Sequence, residues 1–204
     1  MAIPDKGAIV PILVGYAAKK VEKQPEWLKA AGVQEICSVS GCISAGLSDA
    51  AFHKWLHNGL CLYDDEATLQ SLLAEEEDEA SYVIFAYKLL TMGFGPQGDN
   101  TAINHQDLPD LAGPCPAARP LSACYEKLGY DCVQTEWGKS VAGFGCSPLS
   151  CNGMAQRIPV NRFCLIDTVD AAIDVARQFA REQPEPGVYY VMEVWRRRGC
   201  HGGP

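Results

Sequence analysis

Cysteine, serine and histidine are the side chains of this protein best suited to making or breaking bonds, and they are unevenly distributed. The densest cluster is the loop G-F-G-C-S-P-L-S-C-N-G, Gly143 to Gly153. Glycines at both ends permit close approach of the backbone. The thiols of Cys146 and Cys151, the hydroxyls of Ser147 and Ser150 and the amide of Asn152 carry donors and acceptors that could converge on a ligand. Together with Asn161, which opens a pattern repeated within the chain itself, this loop is the expected contact for a ligand or protein partner. A catalytic use would make Cys146 or Cys151 a nucleophile, and a thiol needs a nearby base or cation to become a thiolate near neutral pH. The tail residue His201 is the one imidazole in this half, and His105, folded over from the central segment, is the candidate base from outside it. Ser147 and Ser150 do not stand in a G-x-S-x-G turn.

Metal chemistry has a second candidate set. His53 and His57 lie four residues apart in F-H-K-W-L-H, a spacing that places two imidazoles on one flank of a helix. Lys54 stands where a zincin requires glutamate, which excludes a hydrolase of that kind. Cys37 and Cys42, with Cys61 further on, supply thiolates in the same half, so a structural zinc is conceivable. The second half has cysteines at 146, 151 and 164 but no histidine beside them, and a duplicated metal site calls for duplicated ligands. The expectation is therefore no cofactor, with packing as the main role of the cysteines.

Phosphate chemistry finds little support. Gly93, Gly95 and Gly98 satisfy G-x-G-x-x-G after a strand, but Pro96 sits inside the motif and no helical pattern follows to offer free amides to a pyrophosphate. The net charge is −8 and Glu75 to Glu79 form an acidic run, so a nucleic acid partner is not expected. Arg196 to Arg198 end the last strand and read as a solvated terminus.

The elements that position these residues follow a grammar that appears twice. Asn58 to Asp64 reads N-G-L-C-L-Y-D and Asn161 to Asp167 reads N-R-F-C-L-I-D. A helix follows each, near 65–74 and 168–181, with Asp64 and Asp167 at the expected N-cap positions. Val169, Ala172, Ile173, Ala176 and Phe179 have the spacing of a helix lying on a core. Strands follow at 82–90 and 188–196. Upstream stand C-S-V-S-G-C at Cys37–Cys42 and C-S-P-L-S-C at Cys146–Cys151. The fold expected is α+β, two related β-β-α-β-like halves packed into one body by internal pseudo-duplication: an N-terminal half 1–95, a Gly/Pro-rich linker loop 96–120 and a C-terminal half 121–204.

Composition agrees with a folded chain: 204 residues, 48 % hydrophobic and 21 % charged. The apolar run from Ala8 to Ala18 is preceded by Asp5 and Lys6 and interrupted by Pro11, so it reads as a strand and not as an export signal. No stretch reaches the roughly 20 apolar residues of a membrane span. Ten cysteines without an export signal are expected to be reduced thiols in a cytoplasmic protein. The functional expectation is a non-catalytic binding or regulatory protein that takes a protein or small-molecule partner near the 143–153 loop. A cysteine-dependent enzyme is the first alternative and a zinc-stabilised interaction module the second.

Overall fold

The computed structural model of the chain describes residues 11–40, 62–96, 100–102, 121–135 and 145–199. Cys42, His53, His57, Asn58, Cys61, Gly98, His105, Gly143 and His201 lie outside them.

The fold is α+β. Its elements are β1 (Ile12–Lys20), the two-residue pair β2 (Glu22–Lys23) and β3 (Glu35–Ile36), α1 (Glu66–Leu73), β4 (Tyr82–Phe94), β5 (Asn100–Ala102), β6 (Tyr125–Thr135), α2 (Pro148–Cys151), α3 (Val169–Glu182) and β7 (Val188–Arg197). The main sheet is antiparallel in the order β1-β4-β7-β6, and β5 pairs with the end of β4. Within the segment 96–120, expected as a linker loop, residues 100–102 form this short strand. β4 and β7, one from each expected half, are neighbours in the middle, so a single sheet spans both.

β7 is central because its pattern loads both faces with bulk. Tyr189 and Val191 point to one side, and Tyr190, Met192 and Val194 to the other, all buried. The first side is covered by helices. Leu69, Leu72 and Leu73 of α1 pack near Ile84 and Ala86, and Ala172, Ile173, Ala176, Phe179 and Ala180 of α3 pack over Leu90, Tyr130, Cys132, Tyr189 and Val191. Burial of one such large side chain contributes about 1.5 to 3 kcal/mol relative to leaving it in water. The second side, with Phe85, Tyr87, Leu89 and Val133, packs under Cys37, Val39, Leu62, Phe163 and Leu165.

Both helix starts fall one residue later than expected. Asp65, and not Asp64, accepts from Thr68 N at 2.8 Å; Thr168, and not Asp167, accepts from Ala171 N at 3.3 Å. The preceding positions are committed elsewhere. Tyr63 and Ile166 each make a two-way backbone bridge, to Tyr16 and Tyr130, with all four bonds at 2.8 Å. The chain turns into a helix only after leaving that bridge, and in both places the next residue but one is a competent cap.

β1 and β6 share a further irregularity. A register shift skips Val14 before Gly15 and Leu128 before Gly129, and the glycines have φ of 141° and 150°. At Gly129 a Cβ would stand 2.8 Å from the Ile166 carbonyl oxygen, so both the dihedral and the space require glycine.

Gly93 has a packing role within β4: a Cβ there would lie 2.5 Å from the Tyr190 ring. Arg196 is not a solvated end. Its guanidinium bridges Glu35 at 2.9 Å and Glu126 at 2.9 Å and lies over Phe163.

Candidate functional site

β6 alternates Tyr130 and Cys132 toward α3, so Asp131 between them projects from the opposite face. It has no exposed surface. Its Oδ2 accepts from Ser38 Oγ and from Val39 N, each at 2.8 Å, and its Oδ1 accepts from Ser147 Oγ at 2.5 Å. The carboxylate therefore fastens C-S-V-S to C-S-P-L-S-C, two segments 93 and 16 residues away from it in sequence.

Lys19, also buried, comes from the end of β1. Its ammonium donates to the carbonyls of Ser38 at 2.9 Å, Val39 at 2.5 Å and Ser40 at 2.9 Å. Ser40 N donates to Ser38 Oγ at 3.1 Å, which folds 38–40 around the cation. On the other segment Ser40 Oγ lies 3.4 Å from Cys151 Sγ, and Ser150 Oγ donates to the Ser147 carbonyl at 3.4 Å. The result is one buried polar node. A serine, a backbone amide and a second serine surround the acid, and a lysine satisfies three carbonyls beside it.

Burial raises the Asp131 pKa above the usual aspartate value, and the bonds from Ser147, Val39 and Ser38 and the charge of Lys19 pull against it. Burial also pushes the thiols of Cys37 and Cys164 up to about 12 and that of Cys132 well above its ordinary value. These three are protonated near neutral pH and are poor nucleophiles and poor metal ligands as they stand. Among the described residues no group of three histidine, cysteine or acidic side chains is placed to hold a metal ion.

The expected contact residues fall into separate roles. Ser147 and Ser150 are fully buried, so the hydroxyls serve the node. Cys146 and Cys151 are half-buried. Cys151 ends the short α2. Asn152 is exposed, and its amide donates to Pro184 O at 3.2 Å and Glu185 Oε1 at 2.8 Å, tying the loop to the turn after α3. Asn161 holds its own turn together. Its amide donates to Leu128 O and Asp167 Oδ1, each at 2.9 Å, and its carbonyl accepts from Phe163 N at 2.9 Å and Leu165 N at 3.2 Å. That is an architectural amide.

Asp131 and Lys19 are the functional-looking residues missed in the sequence. The available signal was a charge at a position whose neighbours Cys132 and Val133 are core. A second polar set was missed as well, on the helix-bearing face: Lys127 pairs with Glu193 at 2.7 Å and with the Tyr130 hydroxyl, and Trp195 Nε1 donates to Glu193 Oε2 at 3.0 Å.

One thiol departs from the expected reduced state. Cys124 is disulfide-bonded, with its partner outside the described residues, while Cys37, Cys132 and Cys164 are unbridged thiols. No helix among the described residues is long and apolar enough to cross a membrane. No family model, curated protein or solved structure matches the chain.

Proposed function

We propose that this chain is a non-catalytic binding or regulatory protein, with its contact surface at the rim of the 145–153 loop where Cys146, Cys151 and Asn152 reach solvent. The observation that carries this reading is the self-satisfaction of the node. Ser38, Val39 and Ser147 all donate to Asp131, and Lys19 serves three carbonyls, so the strongest polar groups hold two segments together. A reacting molecule would have to break those bonds to use them. The partner is a protein or small molecule. The cytoplasmic setting expected from reduced thiols is not part of the proposal, because the disulfide at Cys124 departs from that premise.

The proposal includes duplication of one strand-helix-strand unit. Its support is a row across the sheet: Gly15 pairs with Tyr87, Tyr87 with Val194, and Val194 with Gly129. The row ends in a bulge glycine at each edge, and both glycines precede the bridged tyrosines Tyr16 and Tyr130. If the halves are copies, Cys61→Ala and Cys164→Ala each destabilise by about 1 to 2 kcal/mol. Urea unfolding midpoints that fall for one variant and not for the other would remove the equivalence.

A second reading rests on Cys151, which is partly accessible and contacts the hydroxyls of Ser40 at 3.4 Å and Ser150 at 3.8 Å. It makes the protein a thiol-dependent enzyme. Alkylation of the native chain with iodoacetamide near pH 7 separates the two. The binding reading expects uniformly slow labelling; one cysteine reacting at least tenfold faster than free thiol, at Cys146 or Cys151, would support thiol chemistry and count against it.

A further inference from the structure

β4 and β7 run side by side through the middle of the sheet, but their ladder stops before either strand does. Its last pair at one end is Phe85 with Arg196, while β4 begins at Tyr82 and β7 continues to Arg197. The other neighbours of the two strands fix where the backbone groups beyond that pair point, because N–H and C=O groups alternate between the two edges of a strand. Tyr16 gives both of its backbone groups to Tyr63, each bond 2.8 Å, and so turns away from β4. Ala86 opposite it, and Ile84 two residues before, therefore turn their groups away from β1 and toward β7. From the other side, Arg198 N donates to Cys124 O at 2.7 Å. Arg198 thus belongs to the edge shared with β6, and Arg197 and Gly199 face β4.

A cleft of about 440 Å³ opens where the ladder stops, a volume in the range of small-ligand sites. Its walls include Val83 and Ile84 from β4, Arg197 to Gly199 from the end of β7, and Leu73 of α1. The arginine side chains are already engaged. Arg197 Nε lies 3.0 Å from Glu66 Oε1, and Arg198 Nε lies 3.0 Å from Glu126 Oε2. What this end of β7 offers the cleft is therefore main chain, beside the apolar side chains of Leu73 and Val83.

We infer that the cleft takes a short extended peptide segment of a partner protein, which continues the sheet where β4 and β7 part. Its main chain bonds the groups of Ile84, Arg197 and Gly199 that face the gap, as in strand addition to an open sheet edge. An apolar side chain of the segment lies against Leu73 and Val83. A ligand read through its main chain needs no charge of its own, which fits walls whose arginines are neutralised. Glu79 also lines the cleft and repels acidic side chains, so the segment carries none there. The cleft shares no residue with the 145–153 loop, and the inference does not rest on the contact proposed at that loop.

The test is calorimetric titration of the full chain with the capped peptide acetyl-Thr-Val-Thr-Val-amide and with the same peptide N-methylated at both valines. Saturable binding of the first is expected, weakened about tenfold or more by N-methylation, the size of one lost hydrogen bond. Gly199 tests the protein's side of the contact. It is exposed and nothing lies within 4 Å of a Cβ there, so a substitution does not disturb the packing. Gly199→Pro removes an amide hydrogen that Gly199→Ala keeps, and it should bind the peptide about tenfold more weakly than the alanine variant. Exchange of the Gly199 amide hydrogen in the wild type should slow when the peptide binds. No saturable binding up to about 1 mM peptide overturns the inference. Equal affinity for the two peptides, or equal affinity of the two Gly199 variants, overturns it as well, since an occupant held by side chains alone gives that result.

Discussion

Asp131→Ala should lower the free energy of unfolding by about 3 kcal/mol, a loss typical of removing one member of a buried, hydrogen-bonded charge cluster. Alanine leaves Ser38 Oγ, Val39 N and Ser147 Oγ without an acceptor in a region closed to water, and leaves the Lys19 charge without its nearby acid. The two cysteine-bearing segments also lose their common fastening. Urea unfolding of the wild type and variant measures the effect. A change under about 0.5 kcal/mol would mean that the node is incidental to the fold.

The titration of Asp131 gives that prediction a pH signature. Burial raises its folded pKa above 3.8, so the folded state holds the proton more tightly than the unfolded chain. The group's contribution to stability is therefore complete below 3.8 and is lost as pH rises through the raised folded value. The amide introduced by Asp131→Asn does not titrate. The stability advantage of the wild type over that variant should accordingly be greatest in acid and shrink as pH rises from that window. An advantage that grows with pH would show that the serine bonds and Lys19 overcome desolvation and depress the pKa.

Gly129→Ala should be about as damaging, near 3 kcal/mol. Its φ of 150° is one that a side chain rarely adopts, and the added Cβ meets backbone, the Ile166 oxygen at 2.8 Å, together with Leu165 Cβ at 2.9 Å. That oxygen is bonded to Tyr130 N at 2.8 Å, so relief of the clash breaks the bridge that positions the turn before α3. Gly95→Ala is the control, since nothing lies within 4 Å of a Cβ there. Comparable urea midpoints for the two variants would show that the bulge accommodates a side chain.

Local chemistry made much of this fold legible in the sequence. The stripe from Val169 to Phe179 needs only helical periodicity and a core beneath it, and α3 follows it to within a residue. The bulky alternation from Val188 onward has one economical solution, a strand covered on both faces, and β7 is that strand. The caps were displaced by a residue because Tyr63 and Ile166 answer to Tyr16 and Tyr130, contacts at long range that no local rule contains.

The polar node lay further from reach. C-S-V-S and C-S-P-L-S-C could be matched as strings, but their meeting depends on Asp131 projecting between them and on Lys19 arriving from β1. Those residues are distant in the chain, and a pattern of period two or three and a half carries no information about which distant pair will touch. The same holds for the run of three arginines: it has one composition, yet Arg196 is taken by Glu35 and Glu126, Arg197 by Glu66 on α1 and Arg198 by Glu126. Hydrophobic period and turn chemistry determined the elements, because each acts over a few neighbouring residues. Only the packing of β1, β4, β7 and β6 side by side decided which charges were buried together and which were left facing space.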